Sequence, residues 1–98
     1  MLELYQTEWC PYSHRVRQKL TELGLDFIAH QVPPSRSQRE AMREAVGADV
    51  IPVLVLDDGT VLDQDADDIV AELDQRYAAN EHTPEHHERR VEARMFEP

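Results

Sequence analysis

The 98-residue sequence predicts an α/β fold of element order βαβαββα, with a four-stranded mixed sheet and an extra helix near the C-terminus. Three observations predict it. Leu2-Glu3-Leu4-Tyr5-Gln6 alternates apolar and polar residues with the period of a strand, and directly after Pro11 the period becomes helical. A second strand-like run and a second helical run follow between Asp26 and Gly47. The pattern ends with a hairpin signal at Asp57-Asp58-Gly59-Thr60 and a third helical run from Asp65.

Each element has local support. Pro11 suits a first helical position, because its φ is already helical and that position needs no N–H donor. Tyr12, Val16, Leu20 and Leu23 form the expected apolar face, and Gly24 the stop. Asp26–Val32, carrying Phe27, Ile28 and Val32, reads as the second strand; Pro33-Pro34 ends it, since proline cannot donate to a ladder. A strand–helix–strand order calls for a right-handed crossover and parallel pairing. Ser37 followed by Glu40 is a capping-box pattern, opening a helix through Ala41, Met42, Ala45 and Val46 to Gly47. Val53–Leu56 is the third strand, and Val61-Leu62 returns antiparallel to it. Asp65 is the expected N-cap of the last core helix, with Asp67 and Asp68 favourable to the dipole and Ile69, Val70, Leu73 and Tyr77 facing inward. Residues 1–79 then make one domain, and residues 80–98 a charged extension. Thr83-Pro84-Glu85 offers that extension a helix start and Val91 with Met95 a docking face; a frayed tail is the alternative.

Charge narrows the partners. The chain holds 20 acidic and 10 basic residues, and residues 1–47 carry six of each, so all the excess negative charge lies in residues 48–98. Such a field opposes nucleic acid and anionic membrane, which need clustered Lys and Arg. No run approaches the length of a membrane span and no charged-then-apolar leader precedes Leu2, so a soluble, cytoplasmic monomer is expected.

The single cysteine is the residue most suited to chemistry. Cys10 lies between the first strand and the first helix, where unpaired N–H groups and the helix dipole favour a thiolate. At the N-cap it should be exposed, with the N–H groups of Tyr12 and Ser13 and the Ser13 hydroxyl stabilising negative sulfur. The competing reading is an inert, buried cysteine. Ser13 stands where a second cysteine would complete Cys-x-x-Cys. With no other cysteine, turnover has to pass through a mixed disulfide resolved by an external thiol. His14 reads as a solvent residue. His82 and His86 share a helical spacing suited to a metal, but no third ligand accompanies them, and no metal site is expected.

Three stretches carry a family resemblance: Cys10-Pro11-Tyr12-Ser13-His14-Arg15-Val16, Ile51-Pro52-Val53-Leu54, and Leu62-Asp63-Gln64-Asp65-Ala66-Asp67-Asp68-Ile69. Together they resemble glutaredoxins and the thioredoxin-like N-terminal domain of glutathione transferases over about residues 1–79. The resemblance implies a thioredoxin-like fold with Cys10 as nucleophile and Pro11, Tyr12 and Ser13 completing the catalytic motif. It implies that Pro52 is a cis-proline and that the backbone of Ile51 holds the cysteinyl part of glutathione. It implies that Asp65 holds the γ-glutamyl group, with Gln64 beside it. On residue type alone, Pro52 also fits a trans strand entry, Gln64 a plain loop, and Tyr12 either a lean over the sulfur or the helix face.

The activity so implied is a monothiol, glutathione-dependent disulfide oxidoreductase acting on disulfide-containing proteins with glutathione or an analogous small thiol. Two alternatives stay open: a [2Fe–2S] carrier ligated by Cys10 of two chains and two glutathione thiols, and a non-catalytic glutathione-binding module. Two departures from the family stand out. Thr7-Glu8 replaces the Lys many glutaredoxins carry just before the cysteine, which should raise the thiol pKa and leaves Arg36, Arg39, Arg43 or Arg15 to hold an anion. The resemblance covers only the transferases' N-terminal domain, without the C-terminal helical domain that supplies the hydrophobic-substrate pocket, so a free-standing transferase is not expected.

Overall fold

In the computed structural model, which describes residues 1–77, strand β1 (Leu2–Gln6) sits inside a four-stranded sheet. β2 (Phe27–Gln31) pairs parallel to it on one side, and β3 (Val53–Val55) antiparallel on the other. β4 (Val61–Leu62) completes the sheet in the order β2-β1-β3-β4. The expected mixed sheet, parallel pair and terminal hairpin are all present. The extension at 80–98, with its expected helix start at Thr83 and its histidines, lies outside the described residues.

Helix α1 (Pro11–Glu22) and helix α3 (Ala66–Arg76) pack on one sheet face. Leu2, Leu4, Leu54, Leu56 and Leu62 from the sheet meet Val16, Leu20, Leu23, Ile69 and Leu73 there. Lys19 of α1 ties the helices together, 3.1 Å from Asp74 and 3.3 Å from Glu22. Burial pushes its pKa down, but the hydrogen bonds to Asp74 and Glu22 outweigh that and raise it. One prediction about α1 needs correcting. Tyr12 points outward, and Ser13 takes its place in the buried stripe with Val16, Leu20 and Leu23. Both residues satisfy helical spacing, and the smaller side chain lets the first turn come close to the sheet.

Helix α2 (Glu40–Val46) lies toward the other face, where Met42 and Ala45 share a small groove with the stacked rings of Tyr5 and His30, 4.5 Å apart. Its start also differs from expectation. A short 3₁₀ turn covers Arg36–Gln38, Arg39 occupies the N-cap, and no side chain caps the helix. Ser37 Oγ bonds Ser35 Oγ at 2.9 Å instead. The reason is Arg39, which is only 6 % exposed and donates to the carbonyls of Pro33, Asp49 and Pro34 at 2.9, 2.9 and 3.1 Å. Gly47 ends α2 at φ 75°, a left-handed conformation that costs glycine little.

Candidate active site

Register brings three loops to one end of the sheet. Tyr5 pairs with Val53 and Leu54 with Leu62, so the loop after β1, the loop before β3 and the loop after β4 all leave the same edge. They carry Thr7–Cys10, Val50–Pro52 and Asp63–Asp65 respectively. A groove of about 530 Å³ opens among them, lined by Tyr12, Val50, Ile51, Pro52, the run Asp63–Asp65 and the first turn of α3. Five of the eight site residues expected from sequence therefore share one groove: Tyr12, Ile51, Pro52, Gln64 and Asp65. Cys10, Pro11 and Ser13 form the adjoining start of α1 and do not line it.

Cys10 is the N-cap of α1 as expected, and Pro11 holds the first helical position. Its Sγ accepts the Ser13 N–H at 3.4 Å, and its own N–H donates to Thr7 O at 3.4 Å. The predicted exposure is corrected: the residue is 5 % exposed, because the Thr7 turn folds back on the helix start. Burial pushes the thiol up. Donation from the Ser13 hydroxyl and from the Ser13 and Tyr12 N–H groups, with the charge of Arg17, outweighs it, so the pKa lies below the ordinary thiol value. The Ser13 hydroxyl is fully buried, has no other hydrogen-bond partner among the described residues, and acts on Cys10 as a donor that favours the thiolate.

The cation acting on the sulfur is Arg17, which the sequence reading passed over. Its guanidinium donates to the buried Gln6 Oε1, to Thr7 O at 3.4 Å and to His14 Nδ1 at 3.4 Å. Thr7 O thus receives both Arg17 and the Cys10 N–H. The available signal was spacing, since Cys10, His14 and Arg17 fall on one helical face. Glu8 was expected to raise the thiol pKa. It lies 3.5 Å from Arg17 instead, and it is not among the groups that shift the thiol. Arg17→Met should raise the pH midpoint of Cys10 alkylation toward the free-thiol value of about 8.5. An unchanged midpoint would show that the Ser13 and Tyr12 donors alone set the thiolate.

The arginines proposed to hold an anion are committed elsewhere. Arg36 and Arg43 pair with Asp49 at 2.8 and 3.0 Å, and their hydrogen bonds hold its carboxyl below the usual range. Arg39 is spent on carbonyls, and Arg15 pairs with Asp67 at 2.6 Å. On the groove's far side, Asp65 is the N-cap residue of α3, yet its carboxylate makes no capping hydrogen bond. That carboxylate stays available to a ligand amine. The Ile51–Pro52 peptide is cis, as the resemblance implied. Among the described residues, no group of three or more His, Cys, Asp or Glu is placed to hold a metal ion. No helix among them is long and apolar enough to cross a membrane.

Comparison with known proteins fits this geometry. Residues 4–82 match the family of the glutathione S-transferase N-terminal domain. Over 56 residues, 57 % of this chain and 68 % of the relative, the sequence is 30 % identical to Glutaredoxin 3 of Escherichia coli (strain K12). A glutathione transferase family member from Pseudomonas fluorescens Pf-5, solved with bound glutathione, is 30 % identical at a TM-score of 0.62. That match covers 82 % of this chain and 40 % of the other. A glutathione S-transferase from Methylobacillus flagellatus KT, solved with glutathione bound, is 29 % identical at a TM-score of 0.63, covering 80 % and 38 %. The chain thus spans about two fifths of the length of each of these transferases. With its thioredoxin-like sheet, its cysteine at the start of α1 and its cis-proline, the chain belongs to the glutaredoxin-like family of the glutathione S-transferase N-terminal domain.

Proposed function

We propose that this chain is a glutathione-dependent thiol–disulfide oxidoreductase working through the single sulfur of Cys10. The observation that carries the reading is the Cys10 sulfur itself. It accepts an N–H at the start of α1, with Arg17 behind it and the Ile51–Pro52 groove adjoining. Residues 1–79 are the working unit, acting as a monomer, and a reducing, cytoplasmic compartment suits a lone free thiol.

In the proposed cycle, the Cys10 thiolate attacks the glutathione sulfur of a protein–glutathione mixed disulfide and expels the protein thiolate, which takes up a proton. The Cys10–glutathione disulfide that results is opened by the thiolate of a second glutathione. Oxidised glutathione leaves, and Cys10 returns as thiolate. Across the cycle one disulfide is reduced, one is formed, and no other electron carrier is needed. Ser13, the Tyr12 N–H and Arg17 stabilise negative sulfur both before attack and when Cys10 leaves. The uncommitted Asp65 carboxylate suits the γ-glutamyl amine, the Ile51 backbone the cysteinyl peptide, and Gln64 the groove between them. An analogous γ-glutamyl thiol would meet the same groups. No observation favours the [2Fe–2S] reading.

The test is reduction of a glutathionylated peptide by glutathione, followed as oxidised glutathione. Catalysis that saturates in the mixed disulfide is expected, and mass spectrometry should find the glutathione adduct on Cys10 during turnover. A rate equal to uncatalysed exchange, with Cys10 slow toward a small alkylating reagent, would leave the non-catalytic binding module as the better description.

A further inference from the structure

The end of the sheet that holds Cys10 also carries an apolar surface that the exchange chemistry does not use. Trp9 and Tyr12 are each 65 % exposed and Val50 52 %. Trp9 adjoins Cys10 in sequence, and Tyr12 and Val50 line the groove. Clustered exposed aromatics at a functional rim mark contact with another molecule. The carboxylates of this rim outnumber its cations. Asp63, Asp65 and Asp67 line the groove, and among the described residues no Lys, Arg or His does. Arg15 pairs with Asp67, which leaves the rim net negative. Among the described residues, the nine acidic against one basic of residues 48–77 add to the same field.

We propose that this surface docks a basic segment of a protein partner, with an apolar side chain next to the partner's modified cysteine seated on Trp9, Tyr12 and Val50 and its Lys or Arg residues facing Asp63 and Asp67. The proposal rests on the exchange reading of Cys10 and specifies the protein side of it. Asp65 remains with the small thiol. An acidic partner is repelled by the same field, and that repulsion supplies the selection.

Two measurements separate the docking surface from the chemistry beneath it. In the first, unreactive peptides with serine in place of the modified cysteine are titrated calorimetrically: one basic with a flanking Trp, one acidic with a flanking Trp, and one basic with Gly replacing Trp. The basic Trp peptide is expected to bind about tenfold tighter than either of the others at low salt, an advantage falling to about twofold near 0.5 M salt as charges are screened. The double variant D63N/D67N should shrink the preference over the acidic peptide to about threefold or less. Equal binding of the basic and acidic peptides, or a preference untouched by D63N/D67N, would overturn the proposal. In the second measurement, turnover of the uncharged mixed disulfide of glutathione with 2-mercaptoethanol reads the chemistry alone. Failure there defeats the exchange reading, whereas failure in the titration defeats only the docking surface.

Discussion

Cys10→Ser is expected to reduce mixed-disulfide reduction to the uncatalysed rate while leaving the chain folded. Both halves follow from the start of α1. A serine hydroxyl forms no disulfide and is not ionised near neutral pH, so neither step of the proposed cycle can occur. The structural role of Cys10, in contrast, is that of an N-cap accepting the Ser13 N–H. Serine is among the best residues in that position, so the cap is kept or improved. The measurement is paired: oxidised-glutathione release for activity and thermal unfolding for stability. Retained turnover in a folded variant would remove Cys10 from the chemistry, because the sequence contains no other cysteine. Loss of activity together with loss of fold would be uninformative for serine; Cys10→Ala then separates the two, since it removes the sulfur and costs only one cap, about 1 kcal/mol.

The second large effect is on stability. Arg39→Met should destabilise the domain by roughly 2–4 kcal/mol and leave the alkylation midpoint of Cys10 where it was. The guanidinium is buried and donates to three carbonyls, of Pro33, Pro34 and Asp49, joining the loop after β2 to the loop before Pro52. Methionine keeps most of the volume but leaves those carbonyls without their donors. Lysine should not rescue the loss, because one ammonium cannot reproduce the planar fork. Arg39 is not among the groups that lower the thiol pKa, so reactivity is the internal control. Urea unfolding combined with the pH profile of alkylation reads both. A stable variant with a shifted thiol midpoint would instead return Arg39 to the anion-holding role first considered from sequence.

Arg39 also shows what a local reading misses. In sequence it stands between Ser37 and Glu40, a pattern that reads as a helix cap, and nothing within a few residues marks it for burial. The arginine was drawn inward by carbonyls of Pro33, Pro34 and Asp49 up to ten residues away, and the helix began at Glu40 without the serine. Arg17 was overlooked for a related reason. Its role depends on Gln6 and on Thr7 O, which lie in the preceding strand and loop and which helical periodicity does not describe. Tyr12 and Ser13 traded places because both satisfy a helical stripe, and only packing against the sheet distinguishes them.

What the chain determined by itself is whatever short-range physics encodes. The alternation of β1, the proline and cysteine at the start of α1, the glycine stop at Gly47 and the aspartate turn between β3 and β4 each act over a few residues. Their order sufficed for the mixed sheet. Tertiary structure decided how exposed the sulfur is, which cation stands behind it, and which side chains share the groove. Those properties arise where strand register brings three distant loops to one sheet edge, and a side chain's surroundings there depend on segments far away in sequence.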